Sequence, residues 1–190
     1  MTQQKKQPPR PLPGDMPQAE RVERMIRVDH AGEYGAARIY DGQLAILGHR
    51  HRFSPAIRYM AEQERKHLAT FDRLVNERRV RPTLLSPVWH VAGFALGAAT
   101  ALMGEKAAMA CTAAVEEVID DHYGEQLDQL TVMDEKDQEL IETVEQFRAE
   151  EVEHRDTAIE HGAKETPGYF LLSAAIKTGS RAAIWLSKRI

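Results

Sequence analysis

The sequence predicts an all-α fold: a four-helix bundle of two antiparallel hairpins, accompanied by an apolar crossover helix and an amphipathic C-terminal helix. Three observations lead to this prediction. Val/Ile/Thr-rich runs bounded by turn residues, which are typical of strands, are absent from the sequence. Ser-Pro or Thr-Pro pairs occur at three positions where helices can begin. Glu-x-x-His occurs twice, each time with a solitary Glu upstream at a similar interval, as expected of a duplicated helical hairpin.

Capping residues and helix breakers predict the boundaries of the helices. The predicted N-cap hydroxyls, each followed by Pro, are those of Ser54, Ser86 and Thr166. The first helix has a possible capping box in Asp15 and Gln18. Helices can end at Gly48, Gly104 and Gly162. Together these signals predict helices at about 18–48, 54–79, 87–103, 105–131, 134–162 and 167–188.

Residues 1–17 differ in composition from the rest of the chain. They contain five Pro together with Lys5, Lys6 and Arg10, and they show no apolar periodicity. We expect a disordered tail there and a single domain over residues 18–190. The alternative is that the tail is a recognition arm for a partner or for an acidic surface.

The overall composition excludes several classes of protein. The net charge is -4, and no Lys/Arg stripe runs beside aromatic residues, so we expect no nucleic-acid partner. Cys111 is the only cysteine in the chain, which excludes an internal disulfide and a four-cysteine metal site. No apolar leader with a small-residue cleavage site opens the sequence, so we expect no secretion signal.

The two Glu-x-x-His motifs and the solitary glutamates supply six candidate metal ligands. These are Glu33, Glu64, His67, Glu116, Glu151 and His154. The solitary Glu precedes the motif Glu by 31 residues in the first half (33 to 64) and by 35 in the second (116 to 151). Antiparallel hairpins then require turns near residues 49 and 134, and both places carry turn signals. Residues three apart differ by about 60° around a helix, so each motif presents its Glu and His on one face.

Charge explains why such a cluster needs metal ions. Four carboxylates in a low-dielectric core repel one another and are costly to desolvate, whereas two divalent cations cancel their charge. Ligation by carboxylates with one imidazole for each ion suits Fe(II) or Mn(II), whereas Zn or Cu(I) prefers sulfur-rich sites. The alternative is that these residues are solvated helix faces.

Longer segments resemble the demethoxyubiquinone monooxygenase family of ubiquinone biosynthesis from about residue 20 to the end of the chain. The matching segments are RVDHAGEYGA at 27–36, ERKH at 64–67, RVRPT at 79–83, GFALGA at 93–98, AMACT at 108–112, VEE at 115–117, HY at 122–123 and EVEH at 151–154. The resemblance implies a ferritin-like di-iron enzyme that uses O2 to hydroxylate the ring of a demethoxyubiquinone-type intermediate. It also implies that all six candidate ligands are present.

The resemblance further implies roles for individual residues. Glu64 and Glu151 would bridge the two irons, while Glu33 and Glu116 would be terminal ligands. His122 and Tyr123 match a family pair linked to quinone binding and to electron or proton delivery, and the alternative for Tyr123 is a packed residue beside a buried site. Arg24 matches a position near the substrate or the reductant, or it is a solvated residue of the first helix. From its spacing, Asp120 could orient a ligating imidazole.

Two segments are suited to a hydrophobic substrate. Residues 83–104 contain no charged side chain and are apolar enough to resemble a membrane span, but one crossing would separate the two halves of the ligand set. We therefore expect a partly exposed interfacial helix, with complete burial as the alternative. Residues 166–190 carry four basic side chains and no acidic one beside apolar residues, which predicts either contact with anionic lipid, packing on the bundle, or binding to a partner that presents the quinone.

The predicted function is therefore O2-dependent ring hydroxylation at a centre of two Fe ions, with a quinone or quinol lipid as substrate. NADH as an external reductant and an accessory protein of ubiquinone biosynthesis are implied by the resemblance alone. The expected location is the cytoplasmic face of a bacterial inner membrane, or the matrix face of the mitochondrial one. The alternatives are another di-iron oxidase or peroxidase, an iron-oxidising ferritin-like protein, and a metal-free helical adaptor.

Overall fold

A computed structural model describes residues 14–48, 51–133 and 135–190 of the chain. The helices are α1 (Gln18–Leu47), α2 (Ser54–Glu77), α3 (Ser86–Leu102), α4 (Glu105–Thr131), α5 (Gln138–Glu160) and α6 (Tyr169–Ser187), with a short 3-10 turn at Ala163–Glu165. These described ranges contain no strand. The predicted all-α, ferritin-like bundle is confirmed.

The bundle consists of the hairpins α1–α2 and α4–α5, whose turns lie where the ligand spacing places them. One end of its core contains the buried side chains of Ile26, Phe71 and Leu140. The other end contains those of Ile57 and Met109. On each of the four helices the candidate ligands fall between these two apolar clusters. The apolar residues therefore hold the helices together above and below a central polar layer.

Helix α3 packs on α1 through glycine. A Cβ atom added to Gly97 would overlap the carbonyl oxygen of Ile39, and one added to Gly93 would lie 2.7 Å from the carbonyl oxygen of Gly35. The Gly-x-x-x-Gly pair of the apolar segment is therefore an intramolecular packing surface. The opposite side of α3 is open, because Val91 is 67% exposed.

Helix α6 lies against α4 and has a comparable division. Ile176 is buried at the contact with the bundle, whereas Phe170 is 81% exposed and Trp185 54% exposed. The apolar segment and the C-terminal segment are thus both half-packed, as the interfacial interpretation requires. No helix within the described residues is both long and apolar enough to cross a bilayer.

Some of the predicted caps are wrong. Ser54 donates its hydroxyl to the carbonyl of Gly48 at 2.5 Å, and Ser86 donates to the carbonyl of Thr83 at 2.9 Å, so neither hydroxyl caps its helix. These side chains tie the preceding loops to the helix starts instead.

Helices α5 and α6 also begin later than predicted. Helix α6 starts at Tyr169, after Gly168 in a left-handed conformation. Helix α5 starts at Gln138 because Asp137 accepts a hydrogen bond from the backbone N–H of Leu140 at 3.1 Å. The predicted cap at residue 134 lies outside the described residues, as do residues 1–13 of the predicted disordered tail.

Candidate metal centre

The four bundle helices deliver all six predicted ligands to the polar layer between the apolar clusters. The solitary glutamates come from α1 and α4, and the Glu-x-x-His motifs come from α2 and α5. Each of the six side chains is at most 3% exposed. The i, i+3 spacing works as expected, because the Glu and His of each motif both point into the bundle.

The ligand atoms form two overlapping groups. One group contains Glu33, Glu64, His67 and Glu151, and the other contains Glu64, Glu116, Glu151 and His154; within each, one atom of every residue lies within 4.8 Å of the others. We call these the His67 position and the His154 position. Glu64 and Glu151 belong to both, while each position has its own terminal Glu and its own His. This arrangement suits two metal ions bridged by two carboxylates.

The imidazoles are oriented for metal binding through Nδ1. The Nδ1 atom of His67 lies 3.1 Å from Glu151 Oε1 and 3.3 Å from Glu33 Oε2. The Nδ1 atom of His154 lies 3.1 Å from Glu151 Oε2 and 3.2 Å from Glu64 Oε1. The Nε2 atom of each histidine points away from the four carboxylates of the cluster. One ring nitrogen of each histidine is thus directed at the cluster and the other is available for an outer hydrogen bond.

Several polar atoms of the cluster have no well-aligned hydrogen bond among the described residues, even where an imidazole and a carboxylate lie close together. They are Glu33 Oε2, both carboxylate oxygens of Glu64, His67 Nδ1 and Glu116 Oε2. Leaving buried polar atoms unpaired costs about 1–3 kcal/mol each, and more when they are charged. Because these orphaned atoms converge on the same space, the donor set fits a pair of metal ions.

The pKa values of the buried carboxyl groups shift in opposite directions. Burial, reinforced by the neighbouring carboxylates, raises the pKa of Glu64 and of Glu116 well above the usual range, and burial also raises the pKa of Glu33. Burial alone would raise the pKa of Glu151 too, but hydrogen bonds from the two imidazoles hold it below the usual range. Metal ions that replace the protons on the first three groups would remove this conflict.

A tyrosine donates to each terminal glutamate across the bundle. Tyr123 of α4 donates its hydroxyl to Glu33 Oε1 of α1, and Tyr40 of α1 donates to Glu116 Oε1 of α4 at 2.8 Å. Tyr40 was missed by the sequence analysis. The available signal was its spacing, because Tyr40 follows Glu33 by seven residues (33 to 40), as Tyr123 follows Glu116 (116 to 123).

His122 and Arg24 lie farther from the carboxylates. The Nε2 atom of His122 lies 3.0 Å from Asp29 Oδ1, on the outer side of Tyr123. Both His122 and Arg24 line a cavity of about 230 Å³ that also contains Arg21 and Lys188. Its three cationic side chains outnumber the one carboxylate of the lining, Glu125, so the cavity favours an anionic group.

Asp120 does not orient an imidazole, so that prediction is wrong. Its carboxylate accepts hydrogen bonds from Arg148 at 2.7 Å and from Arg155 at 3.1 Å. Asp120, four residues beyond Glu116, lies on the side of α4 that faces α5, where it contacts these two arginines.

An apolar cavity of about 340 Å³ is lined by residues of α1, α3, α4 and α6. Its wall includes Gly32 and Val115, which are the sequence neighbours of the terminal glutamates, and Leu96 of α3. Glycine provides much of the space, since a Cβ atom on Gly35 or Gly179 would meet nothing within 4 Å. The cavity therefore brings an apolar ligand against the backbone that carries Glu33 and Glu116.

Comparisons with known proteins show which proteins the chain resembles. Residues 20–187 match the family described as Ubiquinone biosynthesis protein COQ7. The chain is 56% identical over 179 residues to the 3-demethoxyubiquinol 3-hydroxylase of Rhodospirillum rubrum, covering 94% of this chain and 83% of that protein. It is 56% identical over 169 residues to the mitochondrial NADPH-dependent 3-demethoxyubiquinone 3-hydroxylase of Dictyostelium discoideum, covering 89% and 77%. It is 44% identical over 186 residues to the mitochondrial 5-demethoxyubiquinone hydroxylase of Saccharomyces cerevisiae, covering 91% and 80%.

Proposed function

Because the chain belongs to the COQ7 family of ubiquinone biosynthesis proteins, we propose that it uses O2 to hydroxylate the ring of a demethoxyubiquinone-type intermediate at a di-iron centre. The chain is an enzyme of the hydroxylase type, as its relatives are named. The observation that carries the proposal is the convergence of two ligand groups that share Glu64 and Glu151. Iron bound there would supply the activation of O2 and the electrons that cleave it.

The protein's own residues hold and shield that centre. Each position has one imidazole, one terminal carboxylate and two shared carboxylates, so the site carries four negative charges against two divalent cations. Tyr40 and Tyr123 fix the terminal carboxylates by donating hydrogen bonds. The apolar clusters at both ends exclude water, which strengthens these interactions and protects reactive species.

The apolar cavity between α1, α3, α4 and α6 is the proposed site of the quinol substrate. Its lining includes only small or aliphatic side chains around Gly35, Leu96 and Ile119, apart from Trp89 and two serines. Such a surface favours an isoprenoid chain and a substituted ring, because apolar contact supplies the binding free energy. The ring would then lie against the segments of α1 and α4 that present Glu33 and Glu116 to the metals.

Filling the cavity should weaken substrate binding without unfolding the protein. A Gly179→Leu side chain would enter the space that a quinol would occupy, so we expect the KM for demethoxyquinol to rise about tenfold or more. Gly179→Ala should leave KM unchanged, since a Cβ atom there meets nothing within 4 Å. Ala182→Leu, on the exposed side of the same helix, is the control for added bulk. A normal KM in Gly179→Leu with unchanged helicity would place the substrate elsewhere.

The polar cavity beside Arg24 is the proposed entry point for reducing equivalents. The relative from Dictyostelium discoideum is named as NADPH-dependent, and the phosphates of a nicotinamide dinucleotide suit the cations Arg21, Arg24 and Lys188. His122 lines this cavity and lies 3.0 Å from Asp29, and its ring centroid is 5.9 Å from that of Tyr123, whose hydroxyl contacts Glu33. His122 and Tyr123 would therefore relay protons between the reductant side and the metal centre.

The exposed apolar sides of α3 and α6 form the proposed contact with a membrane surface. Val91 and Phe170 are among the most exposed large apolar residues described, and Arg189 is exposed just after α6. Lys177 and Arg181 of α6 are paired instead with Glu117 and Asp121 of α4. Anionic lipid would attract Arg189 while the apolar side chains enter the interface. A membrane location fits relatives that act on a lipid-soluble quinone, and for this chain we propose the cytoplasmic face of a bacterial inner membrane.

Liposome flotation tests this surface. The full chain should float with vesicles that contain anionic phosphatidylglycerol, and a Phe170→Ser/Trp185→Ser variant should float less. Both substituted residues are more than half exposed, so the core should be unaffected. Equal recovery of the variant and the wild type would count against α6 as the lipid contact.

Reconstitution tests the function directly. Protein loaded anaerobically with Fe(II) should convert demethoxyquinol and O2 into a singly hydroxylated ring, with one oxygen atom of 18O2 in the product. With NADPH or NADH as electron source, Arg24→Ala should lose rate, whereas a reduced quinol supplied directly should restore it. Consumption of excess Fe(II) without ring hydroxylation would instead indicate an iron-oxidising protein.

A further inference from the structure

The hydrogen bonds around the six ligands follow the same duplication as the ligands. Gln63 immediately precedes the first motif Glu, and Glu150 immediately precedes the second. The Nε2 atom of His67 lies 2.7 Å from Glu150 Oε2, and the Nε2 atom of His154 lies 2.8 Å from Gln63 Oε1. Each imidazole thus contacts the residue before the motif of the opposite half. The arrangement is related by a pseudo-twofold axis, but the two partners differ in charge.

The tyrosines preserve that symmetry. Tyr123 and Tyr40 are the same residue type, and each donates one hydroxyl to a terminal glutamate. The bridging carboxylates are common to both metal positions. Among the side chains of the described residues that hydrogen-bond to the ligands, the carboxylate of Glu150 and the amide of Gln63 are therefore the chemical difference between the positions.

We propose that the two metal positions are inequivalent and that Glu150 is the positioning residue that makes the His67 position bind its ion more tightly. This inference rests on the proposed metal centre. When Nδ1 of an imidazole binds a metal, Nε2–H donates to the outer acceptor. A carboxylate acceptor forms a charge-assisted hydrogen bond and draws on that proton more strongly than a neutral amide, so it makes Nδ1 a better electron donor.

A second difference between the halves acts on the same position. Gln126 donates to Asp29 Oδ2 at 2.8 Å, whereas its counterpart Gln43 donates to the hydroxyl of Thr112 at 3.2 Å. Asp29 acts electrostatically on Tyr123, whose hydroxyl contacts the terminal Glu of the His67 position. The hydrogen bonds of Asp29 go to Gln126 and His122, whereas Glu150 contacts the imidazole of His67 directly, so we assign Glu150 the larger effect.

The location of Glu150 allows a conservative test. Its side chain lies at the surface between α2 and α5, 25% exposed, and Gln146 donates to its other oxygen at 2.9 Å. Glu150→Gln keeps the shape and an acceptor for His67 but removes the charge. Gln63→Glu is the matched change on the other half, made only together with Glu150→Gln because Gln63 donates to Glu150 Oε2 at 3.4 Å and a carboxylate there would repel that of Glu150. Together the two substitutions exchange the outer partners of the imidazoles.

The test is anaerobic titration of the metal-free protein with Co(II), monitored by calorimetry. Circular dichroism verifies helicity. Wild type should bind two ions in two separate steps. Glu33→Ala should lose the tight step and Glu116→Ala the weak one. Glu150→Gln should weaken the tight step by about 10- to 100-fold. The doubly substituted Gln63→Glu/Glu150→Gln protein should reverse the sensitivity to Glu33→Ala and Glu116→Ala.

The outcomes separate this inference from the metal centre itself. Failure of wild type to bind Co(II) would refute the proposed metal centre. Two bound ions whose affinities are unaltered by Glu150→Gln, or a tight step that survives Glu33→Ala, would refute the assigned inequivalence while leaving the centre intact.

Discussion

Glu151→Ala should abolish the binding of the metal pair and lower ring hydroxylation by at least about 100-fold, because a bound metal typically supplies several kcal/mol of catalytic stabilisation. Glu151 belongs to both ligand groups, so its loss affects both positions. It is also the carboxylate that lies 3.1 Å from each imidazole Nδ1. Iron content after anaerobic reconstitution and turnover with demethoxyquinol are the two measurements. His154→Ala should give the same loss at its own position.

Glu153→Ala is the matched control for this prediction. Glu153 lies on the same helix two residues farther on, but it is exposed. It should retain iron, turnover and helicity. The helices of Glu151→Ala should also persist, since the apolar clusters on either side of the ligand layer do not include the substituted residue. Normal turnover by an iron-free Glu151→Ala protein would eliminate the proposed metal-dependent reaction.

The metal-free protein should lose stability as pH rises above about 4.5, and divalent metal should restore it. Glu64 has a folded-state pKa raised well above its unfolded value of 4.5 by burial and by neighbouring carboxylates. Between those two values the folded state binds the proton and the unfolded state does not, so raising the pH favours unfolding. The free energy of unfolding should fall by about 1.4 kcal/mol per pH unit for each such carboxyl. Glu116 behaves in the same way.

Two other groups determine the shape of this pH dependence. Burial lowers the pKa of His67, but hydrogen bonds to Glu151 and Glu33 outweigh burial and raise that pKa above its unfolded value of 6.5. The stabilising contribution of His67 is therefore complete below pH 6.5 and declines as the pH rises further. Glu151, with its lowered pKa, stabilises above pH 4.5 and loses that contribution only in acid. The sum of these effects is a decline in stability from mildly acidic to alkaline pH.

Urea unfolding at several pH values, with and without Mn(II), measures the effect. Glu64→Gln replaces an ionisable carboxyl by a neutral amide of nearly equal size, so the metal-free variant should be more stable than wild type at pH 7 and less dependent on pH. The same variant should gain less from Mn(II). A stability that rises between pH 5 and pH 8 in the metal-free wild type would contradict the assigned carboxyl cluster.

Local sequence spacing was sufficient to place the ligands on facing helices. The solitary Glu and the motif of each half are separated by slightly more than one helix length, which requires a turn midway if they face each other, and the turns lie there. Within a motif, an i, i+3 spacing places Glu64 and His67 on one face whatever surrounds the helix. Such features depend on the geometry of one helix or one hairpin, so a sequence without coordinates can reveal them.

The outer partners could not be deduced in this way. Tyr40, Glu150 and Gln63 reach ligands on helices 76, 83 and 91 residues away in sequence. Their contacts depend on the azimuth and the axial shift of one helix against another, which the packing of many apolar side chains decides. Asp120 shows the same dependence, because its proximity in sequence to Glu116 suggested a role that the arginines of α5 have taken.

The order of the residues along the chain alone was enough for the all-α bundle, the six inward-facing ligands and the family resemblance, since helical periodicity and motif spacing are local properties. Assembly of the helices alone decided that Glu64 and Glu151 are shared between two positions, that the tyrosines cross between α1 and α4, and that one imidazole faces a carboxylate while the other faces an amide. Those relations join atoms from different helices, and only close packing of the apolar core brings them within hydrogen-bonding distance.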